Sequence, residues 1–592
     1  MISHTKSYRK NHPNPQFLRE PFLSLDGKWD FVFDDEDIGR KEDYASCFPA
    51  ECVSINVPFT FEYPSSDIED KGIHKILWYH RNLVLEKEKR YLLHFEGVDY
   101  QCEVFLNGRM IATHTGGYSG FVVELKDHIN NGNNDLVIRV QDDYSCLHSR
   151  GKQRWQDHNY ECFYRETTGI YKSVYLEEVK EYHLVSVRMD PSYYERSIKM
   201  EFEISGYKEG LEIETEISFR GKRIIRSKEE VNREVFSNTF DISDDTDTMK
   251  IHGWCFDNPN LYDVVFRLYD NGVKIDEVLS YFGVSNWKAS GKSIYLNGDR
   301  KFMKLILDQG YSKQGGLTLT EEEMIQDIQM MKDIGFNGCR KHEKIESSLF
   351  YYYADILGYY LWQELPSAYE YREKTISNLT KEWLDILQEN HNHPSIAALV
   401  VFNESWGLRS VKEDKGMQEA MSGMYHLTKS MEKNRFVISN DGWEHTDSDL
   451  LTLHNYSSSY DALMKEYGKK ETDNHQDFYN RETIVHPNGR EYTIPGYDNS
   501  SKPVLLSEFG GIAFEKDKAI GWGYGKAAKG DEEFLSRLKG LIDAIHDSEF
   551  FTGYCLTQLS DVQQEVNGLL TEEREYKVDK EKLKEIFCSH DW

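Results

Sequence analysis

Ala397-Ala398-Leu399-Val400-Val401-Phe402-Asn403-Glu404-Ser405-Trp406-Gly407 is an apolar run that stops abruptly at an amide, a carboxyl and an indole. Pro503-Val504-Leu505-Leu506-Ser507-Glu508-Phe509-Gly510-Gly511 repeats the pattern, with a carboxyl at the end of the run and two glycines behind it. Unbroken apolar runs of this length read as strands buried on both faces, as in a parallel sheet covered by helices. Further strand-like runs lie at 303–307, 338–340, 359–362, 437–440, 451–454 and 551–556. Amphipathic helical segments at 321–334, 347–357 and 376–391 fall between them, the first with Thr320 as its N-cap. Eight strands alternating with helices predict a (β/α)8 TIM barrel over 284–592. Such barrels carry their chemistry where strands end, so both glutamates are expected on one face although 104 residues separate them.

Outward from the barrel the texture changes to β. Residues 1–180 carry short alternating runs at 29–33, 76–85, 90–95, 102–106 and 136–140, with turns at Asn107-Gly108 and Asn131-Gly132. They predict a β jelly roll. Residues 181–283 carry runs at 185–189, 199–204, 211–219 and 264–269 with a hairpin turn at Asp270-Asn271-Gly272, which suits an immunoglobulin-like β-sandwich. The polar stretch 473–501 is expected to be a loop over the barrel mouth.

Composition narrows the function. Among 592 residues, 71 Lys plus Arg face 101 Asp plus Glu, a formal net charge of −30, which excludes nucleic acid or an anionic membrane as the partner. No run of 18 apolar residues offers a spanning helix. Nine scattered cysteines without a CxxC pair read as free thiols. The opening Met1-Ile2-Ser3-His4-Thr5-Lys6 has neither an apolar core nor a cleavage pattern, so the expected location is cytoplasmic. Eleven Trp and 38 Tyr suit surfaces that stack on sugars.

Two carboxyls facing one site are what glycosidic cleavage requires. One must be protonated to donate to the leaving oxygen, and the other ionised to attack the anomeric carbon. Proximity and unequal burial separate their pKa values.

At these residues the chain resembles glycoside hydrolase family 2, which includes β-galactosidases, β-glucuronidases and β-mannosidases. Ser24-Leu25-Asp26-Gly27-Lys28-Trp29, Trp78-Tyr79-His80-Arg81, Phe105-Leu106-Asn107-Gly108 and Thr168-Gly169-Ile170-Tyr171 look like its sugar-binding jelly roll. Pro259-Asn260-Leu261-Tyr262 and Phe282-Gly283 look like the end of its immunoglobulin-like domain. Asn403-Glu404 and Ser507-Glu508-Phe509-Gly510 look like its acid/base and nucleophile motifs. The resemblance implies a retaining mechanism with Glu404 as general acid/base, Glu508 as nucleophile, Asn403 on the sugar 2-OH and Tyr456 orienting the nucleophile. Other strand ends are expected to line the sugar pocket: Asp308, Trp362, Glu364, Trp443 and Glu444, with Trp522 after the nucleophile. Family habit implies a homo-oligomer.

The chain departs from the family pattern after the second strand, where it reads Asn337-Gly338-Cys339-Arg340-Lys341-His342-Glu343-Lys344. Arg340, Lys341, His342 and Lys344 at a barrel mouth would suit the carboxylate of a uronic acid. The alternative is that Arg340 and His342 orient the nucleophile while the lysines are solvated. The Asn-x-Lys motif by which β-glucuronidases read uronate is missing from 561–569. The preferred reading is therefore an exo-acting retaining β-glycosidase of β-galactosidase type on a terminal neutral hexose. A β-uronidase (galacturonide or glucuronide) using the basic cluster is the alternative. A transglycosylase would share the covalent intermediate, and a non-catalytic carbohydrate-binding protein is the reading from another class. No cofactor is called for, and His391-Asn392-His393 and His80 lack the spacing of a metal ligand set, so no metal is expected.

Overall fold

The computed structural model describes residues 11–243, 250–468, 489–514 and 521–592. In the N-terminal part, a four-stranded sheet is ordered Phe121–Glu124, Arg90–Phe95, Val174–Val179, Phe22–Ser24. It faces a six-stranded sheet ordered Val53–Val57, Gly27–Phe33, Ile76–Leu85, Gly132–Gln141, Gln101–Leu106, Arg109–Thr115. Leu93, Phe95 and Leu176 from the first meet Trp29, Phe31, Leu77, Val104 and Ile138 from the second in one apolar core.

The next sandwich shows why alternation predicts strands so well. In Ser197–Ile204 the side chains of Ile198, Met200, Phe202 and Ile204 are buried while Lys199 and Glu201 are exposed. Phe202 stacks on Phe236 within its three-stranded sheet and meets Phe266 of the opposite, five-stranded sheet edge-on at 5.6 Å. Asn271 and Gly272, both with positive φ, make the expected two-residue hairpin turn. A third strand-sized segment, Phe17–Arg19, pairs with the edge of this second sandwich, Leu18 opposite Leu279. By sequence alone it falls within 1–180, because three residues carry no period. Arg19 anchors it through Asp276 and Glu177 at 2.9 and 2.6 Å.

The C-terminal part is the barrel. Its strands are β1 (Met303–Asp308), β2 (Gly338–Lys341), β3 (Tyr360–Glu364), β4 (Ile396–Val400), β5 (Phe436–Ile438), β6 (Leu451–Asn455), β7 (Val504–Gly510) and β8 (Gly553–Thr557). They lie in the order β5-β4-β3-β2-β1-β8-β7-β6, with parallel ladders throughout. Strands β3, β4, β7 and β8 are buried along their whole length, as apolar runs covered on both faces must be. Helix α1 (Glu321–Ile334) starts at Thr320 with a reciprocal capping box to Glu323 and ends at Gly335, φ 110°. Helix α2 (Ser348–Leu357) and helix α3 (Glu373–Asn390) follow β2 and β3.

The segment 142–168 leaves the jelly roll and runs to the barrel mouth. Arg150 N donates to Ser367 O at 2.9 Å, and Tyr369 Oη donates to Gly151 O at 2.5 Å. Gly151 has φ +60° and lies so close to Glu343 that an added Cβ would sit 2.2 Å from its carbonyl oxygen. Only glycine allows that approach. Residues 473–488 of the loop expected over the mouth lie outside the described residues, and Arg490 beyond them reaches Glu444. None of the helices among the described residues is long and apolar enough to cross a membrane. The nine cysteines are free thiols.

Candidate active site

Glu404 lies four residues beyond β4, and Glu508 lies inside β7, which runs three residues further than expected. The ladders on both sides of β7 shift register beside Glu508. An irregular register re-aims a side chain that strict alternation would point elsewhere. Glu404 and Ser405 both hold left-handed backbone, φ 51° and 55°. Two consecutive residues with a Cβ in that region store strain, which the surroundings hold in place. Ser405 N donates to Asn440 Oδ1 at 3.0 Å, and Ser405 Oγ donates to Glu444 Oε2 at 2.6 Å.

The result is a carboxylate pair. Oxygens of Glu404 and Glu508 and a ring nitrogen of His454 all lie within 4.8 Å of one another. His454 Nδ1 is 2.8 Å from Glu404 Oε1 and 3.5 Å from Glu508 Oε2. Glu508 accepts from Arg340 Nη1 at 2.7 Å and from Tyr456 Oη at 2.5 Å, one donor on each oxygen. Tyr456 lies face to face with Tyr524 at 3.4 Å.

Arg340 is the hub beneath the pair. Fully buried, it donates to Glu364, Glu508 and Asn403 and meets Asp441, at 2.7 to 2.8 Å each. Burial alone would lower its pKa, but Asp441, Glu364 and Glu508 hold it well above the ordinary arginine value. Burial also opposes ionisation of Asp441, yet Arg340 and His454 hold that carboxyl far below the usual range. Burial pulls His454 down, and the charges of Glu508 and Asp441 outweigh it, lifting the imidazole to about 10. His342 is the opposite case: burial, with Lys152 and Arg340 nearby, holds it well below the usual imidazole range. It sits 3.1 Å from Glu364. Asn403 Oδ1 is taken by Arg340, while its Nδ2 has no hydrogen-bond partner among the described residues.

Several expectations need correction. Lys341 is in register with Asp308 and points outward, opposite to Arg340, toward α2. Its Nζ lies 2.6 Å from Asp308, 2.8 Å from Glu346 and 3.9 Å from the Phe350 ring. Lys344 is taken by Glu346 and the Gly310 carbonyl. Asp308 and both lysines are therefore a buried structural network, neither solvated nor aimed at a sugar. Trp362 is fully buried and donates from Nε1 to Met303 Sδ, so it fills the barrel instead of stacking on substrate. Glu364 supports Arg340, and Glu444 supports the Ser405 turn and Arg490. Trp443 packs edge-on against His454 at 5.6 Å. Trp522 stands half-buried at the rim, donating to the Glu161 carbonyl of the 142–168 segment. The histidines doubted as ligands are occupied by carboxylates, His391 by Asp190 and Glu432 and His393 by Asp355.

His454, Asp441, Tyr524 and Lys152 were not singled out from sequence. His454 had a signal, since it lies at the C-terminal end of β6, one residue before Asn455 closes the strand and two before Tyr456. Lys152 had none: it comes from another domain.

Comparison with known proteins agrees with this architecture. Residues 22–179 match "Glycosyl hydrolases family 2, sugar binding domain", residues 182–284 match "Glycosyl hydrolases family 2", and residues 288–516 match "Glycosyl hydrolases family 2, TIM barrel domain". A putative beta-glucuronidase of Formosa agariphila is 26% identical over 449 residues, 70% of this chain and 51% of that protein. A beta-galactosidase of Thermoanaerobacter pseudethanolicus is 23% identical over 474 residues, 77% of this chain and 60% of that protein. The chain thus spans between half and three fifths of the length of these relatives. The crystal structure of a GH2 beta-galacturonidase from Eisenbergiella tayi bound to galacturonate superposes with a TM-score of 0.74 at 20% identity, covering 97% of this chain and 98% of that one. A b-glucuronidase from Ruminococcus gnavus in complex with D-glucuronic acid gives 0.74 at 17% identity, covering 96% and 97%. These structures share the fold. Since the family's three modules are matched in succession along most of its length, the chain belongs to glycoside hydrolase family 2.

Proposed function

We propose that the chain is an exo-acting retaining β-glycosidase that removes a terminal β-linked hexose by double displacement. The observation that carries this reading is the spacing of the two carboxylates, whose oxygens come within 4.8 Å. Retention needs carboxyls roughly 5–5.5 Å apart, whereas inversion needs about 6.5–9.5 Å to admit a water between them.

In this reading Glu508 is the nucleophile. Arg340 and Tyr456 each donate to one of its oxygens, which fixes the orientation of the carboxylate for attack on the anomeric carbon. Glu404 is the more exposed of the two, at 18% against 6% for the side chains, as suits a group that meets the leaving group and then water. Glu404 donates its proton to the glycosidic oxygen as the Glu508–anomeric carbon bond forms and the bond to the aglycone breaks. It then takes a proton from the water that attacks the glycosyl-enzyme, which releases the sugar and restores the Glu508 carboxylate. Asn403 Nδ2, a buried donor without a partner among the described residues, is assigned to the sugar 2-OH, a contact that tightens in the oxocarbenium-like transition state.

The test is a panel of nitrophenyl β-glycosides followed by proton NMR of the first-formed sugar. Release of the β-anomer before mutarotation is expected. An α-anomer as first product, or no turnover of any member, would overturn the reading.

A further inference from the structure

We propose that Lys152 reads the substrate's carboxylate, and that the sugar removed is a terminal β-linked hexuronic acid. The inference rests on the β-glycosidase reading above and names its substrate class. It also replaces the cations to which the sequence had pointed, since Arg340, Lys341 and Lys344 are each engaged by carboxylates in the barrel.

Lys152 sits at the tip of the 142–168 segment, next to Gly151, whose close approach to Glu343 sets it at the barrel mouth. The residue is 6% exposed. No carboxylate among the described residues lies within 4 Å of its Nζ, whose polar contact is a weak one to Cys162 Sγ at 3.3 Å. The ammonium lies 4.2 Å from the centre of the Trp406 ring, two residues from Glu404. Glu565, Glu343 and Glu508 act on it from beyond contact distance. Each of these is already engaged: Glu565 by Tyr164 and Asn567, Glu343 by Ser367, and Glu508 by Arg340 and Tyr456.

The more distant charges favour the ammonium over its burial, and the indole face adds to them, but no carboxylate in contact satisfies its N–H donors. Such a group is matched by an anion that arrives with the ligand. In the mechanism above Glu508 attacks as a carboxylate, so an acidic sugar entering beside it without a cation would be repelled. A carboxylate one bond outside a pyranose ring satisfies both requirements, since it carries the charge to the wall while Trp406 gives the ring an apolar neighbour. A neutral hexose leaves the ammonium with no carboxylate in contact.

The test compares nitrophenyl β-D-glucuronide and β-D-galacturonide with the glucoside and galactoside, for the wild type and Lys152→Met. The wild type is expected to favour one uronide over its neutral counterpart by roughly 100-fold or more in kcat/KM, and Lys152→Met to lose about that factor on uronides only. Turnover of neutral glycosides with uronides inert, or an equal loss on all sugars in Lys152→Met, would overturn the inference while leaving the glycosidase reading intact. Failure on all four sugars would bring down both. If Lys152→Met does not fold, the wild type decides by product inhibition. Free glucuronate or galacturonate is expected to inhibit about 100-fold more strongly than glucose or galactose, and equal inhibition overturns the inference.

Discussion

His454 Nδ1 lies 2.8 Å from Glu404 Oε1, and its Nε2 lies 3.2 Å from Asp441 Oδ2. Both ring nitrogens face carboxylate oxygens, an arrangement that asks for the imidazolium, which donates from each. Its pKa stands at about 10 in the folded protein against 6.5 ordinarily. A raised folded-state value means that its contribution to stability is complete below about 6.5 and is lost as the pH rises through about 10. The gap in unfolding temperature between the wild type and His454→Asn should therefore be widest near pH 6 and shrink toward pH 10. A gap that grows with pH would contradict the assignment.

Arg340 is surrounded by Glu508, Asp441 and Glu364. Removing it strands three buried carboxylates, and breaking a buried pair this way costs about 3–5 kcal/mol. Arg340→Met should lose at least that much in urea unfolding. Arg340→Lys should recover part of it, because one ammonium supplies the charge but not the fork of donors. A loss under about 1 kcal/mol would show that the hub is not what holds these groups together.

Tyr456→Phe removes one donor from Glu508 and leaves the ring stack on Tyr524. A hydrogen bond to a charged group is worth about 1.5–3 kcal/mol, so kcat should fall roughly 10- to 100-fold with little change in unfolding temperature. Unchanged kcat would free Tyr456 from its assigned role.

Glu404→Ala should cost about 10²–10⁴ in kcat on a glycoside with a poor leaving group. On a glycoside whose activated leaving group departs without a proton, azide, a small anion that needs no general base, should attack the glycosyl-enzyme, restore turnover and give a β-glycosyl azide. An α-azide, or rescue by azide of Glu508→Ala in its place, would exchange the two roles.

Lys341→Met separates structure from specificity. It leaves Asp308 and Glu346 without their shared partner, so stability should drop by about 3–5 kcal/mol. The ratio of uronide to neutral-hexoside turnover should stay where the wild type has it. A collapse of that ratio would return the carboxylate-reading role to the barrel's own basic cluster.

Local pattern alone made the architecture legible. Apolar runs, alternation, the Thr320 cap and the Asn271-Gly272 turn are interactions between near neighbours in the chain, and the eight barrel strands, α1 and the long sandwich strands follow from them. Glu404 and Glu508 were legible for a related reason, since each closes an apolar run and the barrel gathers strand ends on one face. Tertiary structure alone decided what every other charge does. Neighbours on β2 point to opposite sides of the sheet, so Arg340 supports Glu508 while Lys341 is buried with Asp308. Lys152, a buried lysine near Glu508, is delivered by a segment of a different domain, through a glycine whose value lies in a contact nearly 200 residues away. Partner choice among buried charges depends on distances of a few ångströms set by packing, and the order of residues along a chain does not encode those distances locally.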